Sequence, residues 1–312
     1  MTMQTKSNLI ARDWLAVGDG HDLHIAQYGN QDGVPLLYLH GGPGAGCSVD
    51  ELALFDLSIY RVIFMDQRGA GRSRPLGELR HNNIDTLLAD IERVRQWLGL
   101  EKWVLAGGSF GATLALLYAG LHPERVTHQV LWGVFIPSDD SILWLYSQRG
   151  AALLSPAEYL AFSSSTLTTM NELQSMLVEY RAGLEHESAA TRQDFVRRWL
   201  KWEIALAYPH FKLNDHNLIF SQALASIEHY YVTHNYFNAF EMLSCTITHI
   251  QADTIILQGS HDWVCPIGFV DSFLSSRVNE RIKVIDVIGG YHALADEKMA
   301  TAVINALRDL QQ

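Results

Sequence analysis

The stretch Trp103-Val104-Leu105-Ala106-Gly107-Gly108-Ser109-Phe110-Gly111, continued by the apolar run Ala112–Ala119, decides the fold. It reads as a buried strand, a turn of pattern G-x-S-x-G, and a helix. Glycines on both sides of Ser109 allow a sharp, strained bend that lifts the serine oxygen above a sheet. The helix that follows adds free amide donors and the positive end of its dipole. Ser109 is therefore a candidate nucleophile.

Outward from this point, short apolar runs bounded by turn residues recur at Pro35–His40, Arg61–Asp66, Gln129–Gly133, Asp253–Gln258 and Ile282–Val287. They have the character of strands buried on both faces. Helical periods lie between them, clearest over Asn83–Leu98, where Leu87, Leu88, Ile91, Val94 and Leu98 share one stripe. Strands alternating with helices predict an α/β fold with a mostly parallel sheet flanked by helices. Trp14–Val17 and Asp22–Gln27, around Gly18, Gly20 and His21, predict an antiparallel hairpin leading into it. From about Ile136 to Leu243 the strand runs vanish and the text turns helical and aromatic. The expected organisation is a core of residues 1–135 and 245–312, interrupted by a helical cap, 136–244. Such a cap would cover the carboxyl ends of the strands, where open parallel sheets place ligands.

The 312 residues are 48% hydrophobic and 18% charged, which excludes a disordered chain, a coiled coil and a collagen. Lys+Arg 23 against Asp+Glu 34 leaves a net charge of −11. With no basic run, nothing tracks a phosphate backbone, so a nucleic-acid partner is not expected. Cys47, Cys245 and Cys265 are odd in number and far apart, which fits neither a disulfide framework nor a zinc site. A polar amino terminus and the lack of an ~18-residue apolar stretch predict a cytoplasmic protein without a membrane partner.

A nucleophilic serine needs a base and an orienting acid, in chain order serine, acid, histidine. After the strand Asp253–Gln258 comes Gly259-Ser260-His261-Asp262; after Ile282–Val287 comes Gly289-Gly290-Tyr291-His292. Asp262 would orient His292 and stabilise the imidazolium formed when it takes the proton of Ser109. His261 is the nearest rival and has no matching position. The oxyanion would be met by the amide of Phe110, after the nucleophile, and that of Gly42 in His40-Gly41-Gly42-Pro43-Gly44.

His40–Gly44, Asp66-Gln67-Arg68-Gly69-Ala70-Gly71-Arg72-Ser73-Arg74-Pro75, Gly107–Gly111 and His122-Pro123-Glu124-Arg125-Val126 together resemble the prolyl iminopeptidase (proline aminopeptidase) family of α/β-hydrolases. The resemblance runs from about Val17 to the carboxyl terminus. It implies the α/β-hydrolase fold and a metal-free, cofactor-free serine aminopeptidase that removes an N-terminal residue, preferably proline. In that frame Asp66–Ser73 is a structural turn, with Arg68 a buried ion-pair partner.

In the cap, Phe195, Trp199, Trp202 and Leu206 form one apolar stripe with Glu203 on its side; Phe220, Leu224, Ile227 and Tyr231 form another, edged by Glu228. An inward carboxylate is costly without a partner, and neither stripe supplies a cation. Either an arginine such as Arg149 or Arg181 pairs with each, or a cationic ligand does. Trp199-x-x-Trp202-Glu203 and Ile227-Glu228-His229-Tyr230-Tyr231 resemble the family segments whose glutamates are implied to bind a substrate's free amino terminus. The resemblance also implies that Phe135, Tyr146 and Cys265 line a proline pocket. Four positions depart from the family pattern: Trp132 for an arginine, Leu145 for a tyrosine, Val232 for a phenylalanine, and Phe110 for a tryptophan.

The expected partner is thus a short peptide or amino-acyl amide with a free amine. An amidase or esterase for another small amine-bearing molecule, or a non-catalytic receptor on the same scaffold, are the rival readings. A serine at the elbow excludes the aspartate nucleophile of dehalogenases and epoxide hydrolases, and no H-E-x-x-H marks a metallopeptidase.

Overall fold

A computed structural model describes residues 8–163, 169–210 and 218–310, with the side chains of 218–220 left aside. Eight strands form one sheet: β1 (Leu9–Gly18), β2 (His21–Gly29), β3 (Val34–Leu39), β4 (Tyr60–Met65), β5 (Trp103–Gly108), β6 (Val126–Trp132), β7 (Asp253–Gly259) and β8 (Ile282–Val287). Their order is β1-β2-β4-β3-β5-β6-β7-β8. The pairs β1·β2 and β2·β4 are antiparallel, and every pair from β4 to β8 is parallel. This is the α/β-hydrolase architecture expected from the sequence. From β3 the chain steps one way to β4, then jumps back across β3 to β5. That reversal opens a crevice at the carboxyl ends of β3 and β5, the usual ligand position in such sheets.

The apolar runs became strands for the reason anticipated, burial on both faces, in β3, β4, β5 and β6. For Ile282–Val287 that expectation is corrected. β8 is an edge strand paired only with β7, and it is half exposed. The hairpin is also longer than the sequence pattern suggested, because most of β1 is exposed and carries no apolar alternation to mark it.

Helices α1 (Ile84–Trp97) and α2 (Phe110–Leu121) cover one face of the sheet. Asn83 caps α1, accepting from the Thr86 N–H while the Thr86 hydroxyl accepts from the Asn83 N–H, and the predicted stripe is buried. α2 is apolar all round because it lies between the sheet and a further helical layer, and eleven of its twelve residues are buried.

Between β6 and β7 come α3 (Asp139–Tyr146), α4 (Pro156–Phe162), α5 (Met170–Leu184), α6 (Ala189–Ala207), α7 (Leu218–Thr233) and α8 (Ala239–Thr246). Their shared core is aromatic: Phe162 stacks on Trp202 with centroids 5.6 Å apart, and Tyr180 meets Trp199 edge to face at 5.2 Å. Each such ring buries ~200 Å², on the order of 4–6 kcal/mol of gross apolar transfer. α9 (Ile267–Ser275) and α10 (Glu297–Asp309) complete the chain, α10 packing on the opposite sheet face, where Tyr60 donates to the Leu307 carbonyl at 2.7 Å. Among the described residues no helix is long and apolar enough to cross a membrane.

Candidate active site

β5 ends at Gly108 and α2 begins at Phe110, so Ser109 must turn the chain within one residue; it does so at φ 55°, ψ −126°. Few L-residues hold a positive φ without support, and here the surroundings supply it. The Ser109 N–H donates to the Trp132 carbonyl at 3.0 Å, and the Ser109 carbonyl accepts from Ala112 and Thr113. A Cβ on Gly107 would press on the Gly111 backbone at 3.0 Å, and one on Gly111 would collide with the Leu39 carbonyl. The two flanking glycines are thus required by close approach of α2 to β3 and β5. The amino end of α2 has no side-chain cap.

Asp262 and His292 lie in the loops after β7 and β8. His292 Nδ1 is 2.8 Å from Asp262 Oδ2. The other carboxylate oxygen accepts from the N–H groups of Cys265, at 2.7 Å, and Val264, at 3.1 Å. With one ring nitrogen engaged by the acid, Nε2 is left to exchange protons. Gly133, at φ 51°, was not singled out in the sequence; a Cβ there would stand 2.7 Å from His292 Nδ1, so the missing side chain makes room for the imidazole. The histidine loop is tied to the end of α6 by Ala293 N–H donating to Ala207 O. The rival His261 is exposed, stacked on Trp263 with centroids 5.9 Å apart.

Ser109, His292, Gly41 and Gly42 line one cavity of about 340 Å³. His40 pins the glycine loop: its Nδ1–H donates to the Gly41 carbonyl at 2.9 Å, its Nε2 accepts from Gln67 N–H at 3.0 Å, and burial lowers its pKa. Among the described residues no hydrogen bond uses the N–H of Gly42 or Phe110. The Phe110 ring points away from the cavity, edge to face against Tyr231 at 5.3 Å, so only its amide can serve the site. The Asp66 turn is structural as expected. Asp66 accepts from Cys47 and Arg72 N–H and pairs with His24, and Arg68 forms a buried bidentate pair with Asp90 at 2.6 and 3.0 Å.

Glu203 of α6 and Glu228 of α7 line the same cavity. They hydrogen-bond to each other, which requires one shared proton, and burial raises both carboxyls, Glu228 well above its ordinary value. Trp199 Nε1 donates to Glu228 at 2.8 Å, and Tyr146 OH to Glu203 at 3.3 Å. The arginine alternative is overturned. Arg181 pairs with Glu185 at 3.3 Å, Arg149 is exposed, and among the described residues neither glutamate has a cationic side chain within ion-pair distance, apart from the influence of His292 on Glu203.

Phe135 and Tyr146 line the cavity, as do Trp132 and Leu145, two of the departures. Cys265 does not. It is buried behind the acid–base pair, its sulfur within 4.8 Å of an Asp262 oxygen and a His292 nitrogen. Val232 is buried away from the lining, and the Phe220 side chain lies outside the described residues. Tyr236 was missed. It lines the cavity from Asn235–Asn238, four residues with φ between 47° and 58°. No sequence signal marks a left-handed turn with aromatics in its middle.

The family model described as alpha/beta hydrolase fold matches residues 34–298. The chain is 32% identical over 299 residues to a proline iminopeptidase of Neisseria meningitidis, covering 95% of each chain. It is 38% identical over 260 residues to a proline iminopeptidase of Arabidopsis thaliana, covering 81% of this chain and 68% of that one. A proline iminopeptidase-related protein of Thermus thermophilus superposes with TM-score 0.64 at 20% identity, covering 96% of this chain and 98% of that one. With a nucleophile-elbow turn, an Asp–His pair and this similarity over most of its length, the chain is a serine hydrolase that belongs to the proline iminopeptidase family of α/β-hydrolases.

Proposed function

We propose that the protein is an aminopeptidase that releases an N-terminal residue, preferentially proline, from short peptides through an acyl-enzyme on Ser109. The observation that carries this reading is the Glu203–Glu228 pair: two carboxylates, Glu228 buried and Glu203 half-buried, that line the cavity of Ser109, with no arginine or lysine within ion-pair distance of either among the described residues. A protonated amine is the ligand such a pair lacks. Residues 136–244 act as a cap on a core formed by 1–135 and 245–312, and a cavity of only ~340 Å³ favours short substrates over long chains.

His292 takes the Ser109 proton at Nε2 as the serine oxygen attacks the carbonyl carbon. Asp262 holds the ring and stabilises its positive charge. The amides of Gly42 and Phe110 receive the oxyanion, worth about 3–4 kcal/mol per donor in comparable sites. His292 then protonates the leaving amine, and a water deprotonated by the same ring cleaves the acyl-enzyme. No step calls for a metal or cofactor. Phe135 and Tyr146 form the apolar wall beside the acyl group, whereas Cys265 lies behind Asp262. Three unpaired thiols are compatible with a cytoplasmic setting.

The test is a substrate panel of prolyl, alanyl and N-blocked prolyl amides with simple acyl esters, alongside labelling by a fluorophosphonate. Labelling is expected in the wild type and lost in Ser109→Ala. Prolyl amides should be cleaved best and N-blocked ones hardly at all. Equal turnover of blocked and free amides would refute the amine site. One observation favours a second reading, an amidase for another small amine: Leu145 replaces an aromatic in the cavity wall, and one or two methylenes shift specificity by ~1–3 kcal/mol. A preference for alanyl over prolyl amides would select it.

A further inference from the structure

The cavity of Ser109 has a second acidic wall, remote from the Glu203–Glu228 pair. Tyr38, Trp132 and Glu51 line it. Tyr38 and Trp132 belong to the apolar cluster on the α10 face of the sheet, whereas Phe135 and Tyr146 belong to the cluster on the other face. The cavity therefore straddles the carboxyl ends of β3, β5 and β6, with Gly108 and Ser109 between its two halves. Gly108 is what lets Trp132 in: any Cβ there would collide with the indole nitrogen.

Glu51 sits on a short 3-10 helix, Val49–Leu54, that follows the glycine loop. Its carboxylate accepts from Tyr38 OH at 2.6 Å and Ser48 N–H at 2.8 Å. Both donors are neutral. Among the described residues no lysine or arginine lies within ion-pair distance of it, and burial raises its pKa. Tyr38 and Trp132 stack nearly parallel, at 8° with centroids 6.1 Å apart, so the carboxylate is framed by aromatic groups. A carboxylate with aromatic neighbours and no internal cation suits an organic ammonium or guanidinium. The helix cap alone does not require the charge, since a glutamine serves equally at that position.

We propose that Glu51, Tyr38 and Trp132 form a leaving-group subsite that favours substrates whose second residue is lysine or arginine. The inference rests on the aminopeptidase reading: if the substrate's amino terminus is held at Glu203 and Glu228, the other half of the scissile bond extends past Ser109 toward the α10 face. A basic second residue then places its charge beside Glu51.

The experiment compares kcat/KM for Pro-Lys-amide, Pro-Arg-amide, Pro-Ala-amide and Pro-Glu-amide, with prolyl naphthylamide as a substrate lacking a second residue. One charge-assisted hydrogen bond predicts a preference of about tenfold for the basic amides over Pro-Ala-amide. In Glu51→Gln, which keeps the cap, that ratio should fall to near unity. Trp132→Arg, which places a guanidinium on the same wall, should abolish it as well. A flat series in a wild type that cleaves prolyl naphthylamide, or a basic preference that survives both substitutions, would overturn the subsite and leave the aminopeptidase reading standing. Failure to cleave prolyl naphthylamide would refute that reading, and the subsite with it.

Discussion

Glu228→Gln separates a ligand-binding carboxylate from a merely buried one. In the free protein Glu228 is 4% exposed, hydrogen-bonded to Glu203 and to Trp199 Nε1. Its pKa is raised, first by burial and then by the charge of Glu203. A carboxyl whose folded pKa lies above its unfolded value of ~4.3 contributes stability that is present below that unfolded value. The contribution is lost as pH rises toward the folded value, because the native state then keeps a proton that the unfolded state has released. The slope is about 1.4 kcal/mol per pH unit for one proton. Glutamine removes this dependence while keeping an oxygen to accept from Trp199. Urea unfolding followed from pH 4.5 to 8 should therefore show the wild type losing ground to the variant as pH rises. Activity should move in the opposite sense. A charge-assisted hydrogen bond to an ammonium contributes ~1.5–3 kcal/mol, so kcat/KM for a free-amine substrate should drop by roughly 10- to 150-fold. An N-blocked substrate should lose nothing further. Parallel pH-stability curves together with an unchanged kcat/KM would refute the reasoning.

Other perturbations follow from distances around the site. Asp262→Asn keeps the volume but presents the wrong group to His292 Nδ1; stopped assays should show kcat reduced on the order of 10⁴-fold with little change in KM. Gly133→Ala puts a methyl group 2.7 Å from His292 Nδ1, so kcat should fall while the urea midpoint moves by no more than about 1–3 kcal/mol equivalent. Arg68→Met strands Asp90 without its bidentate partner, and chemical denaturation should record a loss of about 3–5 kcal/mol.

The sequence pattern revealed what depends on local repetition and hid what depends on meeting across the fold. β3 to β6 were legible because strands covered on both faces must be continuously apolar, and the elbow because glycine is demanded where α2 presses on β3. Helical period alone placed Glu203 and Glu228 on the inner sides of α6 and α7. Their hydrogen bond could not be seen, since it joins two helices whose crossing is set by the aromatic core between them. Cys265 shows the reverse error. The family resemblance implied a place in the pocket, but its N–H is occupied by Asp262 and its side chain lies behind the acid. Glu51 carried only the signal of a helix cap, Ser48-x-x-Glu51, although it also faces the cavity.

Two features of the site are linked by charge. A pair of glutamates sharing one proton carries one negative charge, and takes on a second only when a cation arrives and takes the proton's place. The same pair feels the charge on His292. A free amine that binds there displaces the shared proton, so its affinity should rise with pH: KM for a free-amine substrate should fall as pH rises through the range in which the pair holds that proton, and replacing both glutamates by glutamine should flatten the dependence. A KM profile unchanged by the double substitution would show that the pair does not govern amine binding.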